Sequence, residues 1–255
     1  MDNQFLFSLI TGIFIGGTAG YLGSLMVSKK MGLIAGPLGH LTLPGIALAL
    51  IYGFDVSLGA LPFVVLGAVL IWFFEMRTRL PVESLTAVVF ATGVAVAFLI
   101  LPSEDLETAL VGDIANVGVL EAFISVGLSL IIFLILQRIY NKIIFLSISE
   151  DLAKVEGIDV RKYNFIYLAC ISIIVVLGVK IVGGLLTAAL VAIPACASRN
   201  LSKNLFQYSY GAMILGAVSC IFGIFISRST GYSAGPLIIL VNSFFFLLSV
   251  FLKKR

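Results

Sequence analysis

Residues 31–52 read Met31-Gly-Leu-Ile-Ala-Gly-Pro-Leu-Gly-His40-Leu-Thr-Leu-Pro-Gly-Ile-Ala-Leu-Ala-Leu-Ile-Tyr52, without a single Asp, Glu, Lys or Arg. A helix of about 20 apolar residues is long enough to cross the hydrocarbon core of a bilayer. The stretch is therefore read as a helix in lipid, and the same pattern recurs along the chain. Of the 255 residues, 60% are hydrophobic and 11% charged, with a mean hydropathy of +1.17. Soluble domains run at about 45–50% apolar and about 25% charged, so a water-soluble globule is excluded. Disorder is excluded too, because it needs low hydrophobicity and high charge. Apolar runs at 5–27, 32–52, 57–75, 83–101, 117–137, 163–180, 182–197, 208–227 and 235–252 predict an all-α polytopic membrane protein. The count is nine spans, or eight if 163–180 and 182–197 do not both cross. Residues 1–255 form one transmembrane domain, and the first run lacks a small-residue cleavage site, so it reads as a retained helix.

Charge fixes the expected orientation. With the N-terminus outside and the C-terminus in the cytoplasm, 14 of the 16 basic residues face the cytoplasm and only Lys180 and Arg228 do not. The opposite orientation inverts that split, against the positive-inside rule. Asp55, Glu104, Asp105, Glu107 and Asp113 then face outward. The net charge of +3 reports loop orientation and not nucleic-acid binding.

Within 31–52, two proline–glycine pairings flank the only histidine. Gly36, Pro37 and Pro44 predict helix breaks, because proline lacks an N–H and clashes with the preceding turn. Irregular backbone at membrane depth survives only against protein or a water-filled cavity, which is where transporters build substrate sites. If the helix starts near Met31, His40 lies about 13 Å along it at 1.5 Å per residue, near mid-bilayer. His40, with Thr42 nearby, is the candidate polar lining of a path and a candidate metal contact. A buried histidine bonded to a carbonyl fits the same residues. Pro194, in the small-residue run 182–199, predicts a further break near the cytoplasmic end of its span. Cys170, Cys196 and Cys220 sit singly in apolar runs, which excludes a disulfide framework or structural zinc site. No G-x-x-x-x-G-K-[ST], G-x-S-x-G or H-E-x-x-H sequence occurs. The chain cannot hold ATP in a Walker A loop, and it lacks a nucleophile–base set for enzyme chemistry.

The longest polar break, 138–162, contains Ser147-Ile-Ser-Glu150, which has the S-x-x-E form of a capping box. Asp151 adds negative charge in the first turn, and Gly157 can take the left-handed turn that ends a helix. A short cytoplasmic surface helix over about 148–156 is expected, either inert or docking a soluble partner.

These segments together resemble the membrane permeases of the ABC importers for zinc, manganese and iron(II), over about residues 12–252. The carrying residues are Lys30-Met31 through His40-Leu-Thr-Leu-Pro44-Gly45, Val111-Gly-Asp-Ile114, Asp151-Leu-Ala153 with Gly157, and Lys180-Ile-Val-Gly183. Ile193-Pro194-Ala195, Arg199 and Gly235-Pro236 complete the set. The resemblance implies a type II ABC importer-like fold and a homodimer with a path between subunits. It also implies a separate ATPase on the cytoplasmic side and an extracytoplasmic metal-binding protein that delivers the ion. The short helix falls where the family places its coupling helix, so Glu150, Asp151, Glu156 and Gly157 would dock the ATPase. No cofactor is held permanently; zinc, manganese or iron(II) is cargo. One departure is visible: the family motif Gly-Asp-Ala-Leu-Ser-His carries a carboxylate one turn before the histidine, and here that position is Gly36. The expected function is the permease subunit of an ATP-driven divalent-metal importer in the cell membrane. The alternatives are a permease for a metal chelate (haem, siderophore, cobalamin) and an ATP-independent carrier. The spans hold few ionisable residues beyond His40, with Glu121 and Lys180 at edges, and this disfavours the carrier.

Overall fold

The computed structural model describes residues 3–29, 31, 35–54, 56–78, 80–100, 118–184 and 186–253. Among these there is helix and no strand. The elements are α1 (Asn3–Ser28), α2 (Ala35–His40), α3 (Leu43–Tyr52), α4 (Val56–Thr78), α5 (Val82–Ile100) and α6 (Val119–Ile148). They continue with α7 (Glu150–Val155), α8 (Val160–Val182), α9 (Thr187–Leu201), α10 (Leu205–Thr230) and α11 (Ala234–Leu252). Lys30, Asp55, the acidic residues Glu104, Asp105, Glu107 and Asp113, and the segment 111–114 lie outside the described residues.

Six of these helices, α1, α4, α6, α8, α10 and α11, are long and apolar enough to cross a bilayer, and α5 is a shorter apolar one. The expected span at 32–52 is represented by two short helices, α2 and α3, and the expected span at 182–197 by the 15-residue α9. The shift of that start from 182 to Thr187 has a local cause. Gly183 caps α8 at φ 85, a region open to glycine and costly for other residues. Large apolar side chains stay outward on the outer helices: Leu66, Val88, Leu130, Ile214, Phe244 and Leu247 are all exposed. In water that surface would be untenable; in lipid it is the solvated face.

α8 is the central element. Tyr167, Ile171, Ile174 and Val175 on it are fully buried. On one side α1 packs on α6, α9 and α10, and α11 closes against α9 and α10. On the other, α3, α4 and α5 pack together, with α4 laid along α8 and α2 wedged between α5, α8 and α9. Without a hydrophobic drive between helices in lipid, association needs close backbone approach and interhelical hydrogen bonds. Both are present. Gly16 and Gly20 of α1 lie on Gly216 and the Ala212 carbonyl of α10, where a Cβ would collide. Gly45 of α3 and Gly59 of α4 meet in the same way. Ser129 Oγ of α6 donates to the Phe14 carbonyl of α1 at 2.8 Å and lies 2.8 Å from Thr18 Oγ1. Ser198 Oγ of α9 donates to the Tyr208 carbonyl of α10 at 2.8 Å.

Three sequence expectations need correction. α9 runs unbroken through Pro194, as α4 does through Pro62; packed spans tolerate an internal proline where neighbours re-satisfy the backbone. Gly36 and Pro37 lie in the first turn of α2, not at a break, because the first turn needs no proline N–H. Ser147 does not cap the surface helix. α6 continues to Ile148, and the Ser147 hydroxyl donates back to the Ile144 carbonyl at 2.6 Å.

The glycine contacts set a stability test. Gly20→Leu is expected to lower unfolding stability in detergent by about 1–3 kcal/mol through overpacking of α1 on α10. Gly127→Ala on α6, where an added methyl meets nothing within 4 Å, is expected to leave the melting temperature unchanged. Thermal unfolding followed by intrinsic fluorescence distinguishes the two.

Candidate functional site

The histidine site is built around the interruption between α2 and α3. Pro44 has no N–H to offer the preceding turn, so the backbone turns at Leu41 and Thr42 before α3 resumes. The Leu41 N–H reaches the Pro37 carbonyl at 3.1 Å and the Ile46 N–H the Thr42 carbonyl at 2.9 Å. Thr42, fully buried, donates its hydroxyl to the Gly39 carbonyl at 2.5 Å. Its polar atom braces the turn. Gly39 in turn lies against the Gly184 carbonyl and Thr187, which seats α2 on the start of α9. His40, the last residue of α2, is half-buried. Its ring lies 5.4 Å from that of Phe90, eight residues into α5. Gly36, one turn before His40, has Ala188 3.4 Å from where its Cβ would stand, leaving room for a small side chain. No group of three or more His, Cys, Asp or Glu able to hold a metal occurs among the described residues. The described residues of one chain thus offer His40 as a single imidazole, not a cage.

The second candidate is α7. Ser149 is extended at φ −159, and its hydroxyl accepts from the Leu152 N–H at 3.3 Å. A cap of this kind contributes about 1 kcal/mol. Glu150 and Asp151 occupy the first turn, favourably for the helix dipole. At the other end Gly157 stands at φ 75; its N–H bonds to the Lys154 carbonyl and that of Ile158 to the Ala153 carbonyl. The left-handed residue with paired return bonds is the close of a helix that must stop after two turns. Only Ala153 is buried. Glu150, Asp151, Leu152, Val155 and Glu156 are exposed, Val155 at 84%. Lys154 pairs with Asp151 at 3.1 Å, an exposed contact that adds little stability.

Between α7 and the bundle lies a cavity of about 930 Å³ that receives the ends of α1, α4, α5 and α8. Lys29, Glu75, Glu150, Arg161 and Asn164 are on its wall. The Lys29 ammonium donates to Asn164 Oδ1 at 2.7 Å and sits 5.5 Å over the ring of Tyr167. Burial pushes the Lys29 pKa down, while the carboxylates of Glu150 and Glu75 act in the opposite direction and favour the charged form. Sequence reading missed this cluster. Lys29 counted only toward loop charge, and Glu75, the last residue of the apolar run 57–75, was passed over. An acid at the end of a span was the available signal; its convergence with Lys29, Asn164 and Glu150 is tertiary, from four separated segments.

The chain is 27% identical over 252 residues to the manganese import system permease protein ScaB of Streptococcus gordonii, covering 97% of this chain and 91% of that protein. It is 27% identical to the high-affinity zinc uptake system membrane protein ZnuB of Haemophilus influenzae, covering 97% of each. Among solved structures, PsaBC from Streptococcus pneumoniae in complex with Fab matches with a TM-score of 0.85 and 27% identity, over 99% of this chain and 92% of that one. A metal-chelate type ABC transporter in an inward-facing conformation shares the fold, with a TM-score of 0.78 at 18% identity, over 96% of this chain and 85% of that one. The matching family extends over residues 1–253, and the chain, a multi-pass membrane protein, belongs to the ABC 3 transport family.

Proposed function

We propose that the chain is the membrane permease subunit of an ATP-driven importer of divalent metal ions. Manganese and zinc are the cargo of its named relatives, and iron(II) shares their charge and coordination preferences. The observation that carries this reading is the likeness, along nearly the whole chain, to manganese and zinc permeases at 27% identity. Two copies of the chain form the path between them, an extracytoplasmic metal-binding protein delivers the ion, and a separate ATPase drives the cycle. The face bearing α7 and the basic helix ends is the cytoplasmic one, with the N-terminus outside. α2 with α3, α5 and α9 complete the nine membrane segments alongside the six long spans.

In this reading α7 is the coupling helix. Its exposed Glu150, Asp151 and Glu156, with Leu152 and Val155 between them and Gly157 as its stop, present a mixed acidic and apolar surface to the ATPase. His40 lines the path and, through Nδ1 or Nε2, makes a transient contact to the ion as it passes. A single neutral imidazole without the Gly36-position carboxylate holds a divalent ion weakly, which suits passage better than storage. A second reading, cargo as a metal chelate such as haem, a siderophore or cobalamin, draws on the fold-level likeness to a metal-chelate transporter. The ion permeases cover the chain at higher identity, and the ion reading is preferred.

Three outcomes test this. Leu152→Asp with Val155→Asp is expected to abolish co-purification with a co-expressed partner ATPase, while detergent-extracted permease stays monodisperse. His40→Ala is expected to cut manganese or zinc uptake into proteoliposomes by about tenfold, or about 1.4 kcal/mol, with ATPase association retained. Unchanged uptake removes His40 from the path. Gly36→Asp restores a carboxylate at i, i+4 to His40; isothermal titration with zinc or manganese is expected to register tighter binding than the parent chain.

A further inference from the structure

The two groups of helices described above, α1 with α6 and α9–α11 and α2 with α3–α5, meet on α8, and the cavity beside α7 is lined by residues just after α1 from the first group and by the ends of α4 and α5 from the second. Lys29 ends the first group, immediately after α1. Glu75 is on α4 in the second group. Glu150 is on α7, and Asn164 on α8. All four side chains line the same cavity, and the Lys29 ammonium is anchored at 2.7 Å to Asn164, itself 8% exposed. The Lys29 ammonium is partly buried, and a cation there is tolerated where acceptors and opposite charges lie near it; Glu75 of α4 and Glu150 of α7 share the cavity wall with it. Asn164 fixes where the ammonium sits. Glu150 lines the cavity and is exposed as well, like Leu152 and Val155 on the same helix.

We propose that Lys29 is a positioning residue for coupling, an electrostatic tie that links α7, through Glu150, to α4, through Glu75. A displacement of α7 is then passed across the cavity to the α2–α5 group, and not only along the neighbouring α6 and α8. Removing the tie leaves α7 able to dock but severs its hold on the group that carries His40. The inference rests on the docking role proposed for α7.

The test uses the whole complex, with permease, ATPase and metal-loaded binding protein in liposomes and manganese or zinc as cargo. The readouts are co-purification, basal ATPase, ATPase stimulated by the loaded binding protein, and ions moved per ATP. Lys29→Gln keeps a donor toward Asn164 and removes the charge. It is expected to co-purify normally and hydrolyse ATP at the basal rate, and to lose stimulation and ions per ATP by about tenfold. Lys29→Arg keeps the charge and is expected to restore most of the coupling, and Glu75→Gln to uncouple as Lys29→Gln does. Normal ions per ATP in Lys29→Gln, or an arginine variant no better than glutamine, overturns the tie. If the glutamine variant does not yield a monodisperse complex, Glu75→Gln decides, and normal coupling in it overturns the proposal. A wild-type complex that never associates with the ATPase, or shows no metal stimulation, overturns the functional reading and this inference with it, before any variant is made.

Discussion

In the hydrocarbon core no water stands ready to take a hydrogen bond, so every backbone group freed there must find a partner in the protein. The helices meet this constraint with their own backbone bonds, and serine and threonine hydroxyls are satisfied against the same carbonyls. Ser172, Thr187 and Ser219 donate to the carbonyls of Leu168, Gly183 and Leu215 four residues back, at 2.9, 2.7 and 2.8 Å. The hydroxyls are thereby hidden as well as used. Where two helices approach closely, the same side chains reach across, as Ser129 does to α1 and Ser198 to the α10 backbone. The interruption between α2 and α3 is possible because Thr42 closes on Gly39 and because Gly39 is seated on Gly184.

That constraint explains which parts of the fold were legible in the sequence. Long apolar runs must be helices in lipid, and α1, α4, α8, α10 and α11 fall within a few residues of the runs that announced them, while α6 starts within a few residues of its run's start and continues eleven residues past the expected end at 137. Gly157 was readable because only a left-handed residue ends a two-turn helix so abruptly. Ser147 misled because a serine inside a helix and a serine at its cap look alike in sequence. Which it becomes depends on whether α6 ends before it, and α6 continues on packing that the local residues do not encode. Pro194 misled for a related reason: a proline breaks a helix in water and is carried inside one when neighbours hold it.

The candidate sites divide along the same line. His40 stood out because it is the sole histidine in an apolar run, and a lone polar group in lipid demands a reason. Its neighbour Phe90 and the engagement of Thr42 could not be read, since both depend on how α5 and α2 lie together. The cavity cluster was not legible as a group, because Lys29, Glu75, Glu150 and Asn164 come from four separated segments and only Glu150 stood out in its own. Only the convergence of helix ends makes them a group, and only burial makes the charge on Lys29 consequential.

α6 has 30 residues, about 45 Å at 1.5 Å per residue, against a hydrocarbon thickness of about 30 Å. If it stands near the bilayer normal, its last turns project past the lipid headgroups as a stalk, and α7 hangs from the tip. Such an overhang turns a change of tilt inside the membrane into a larger sideways swing at the tip. A pull at that tip works with the long arm of the lever, so a smaller force acting over a longer stroke outside suffices to lean the rod within.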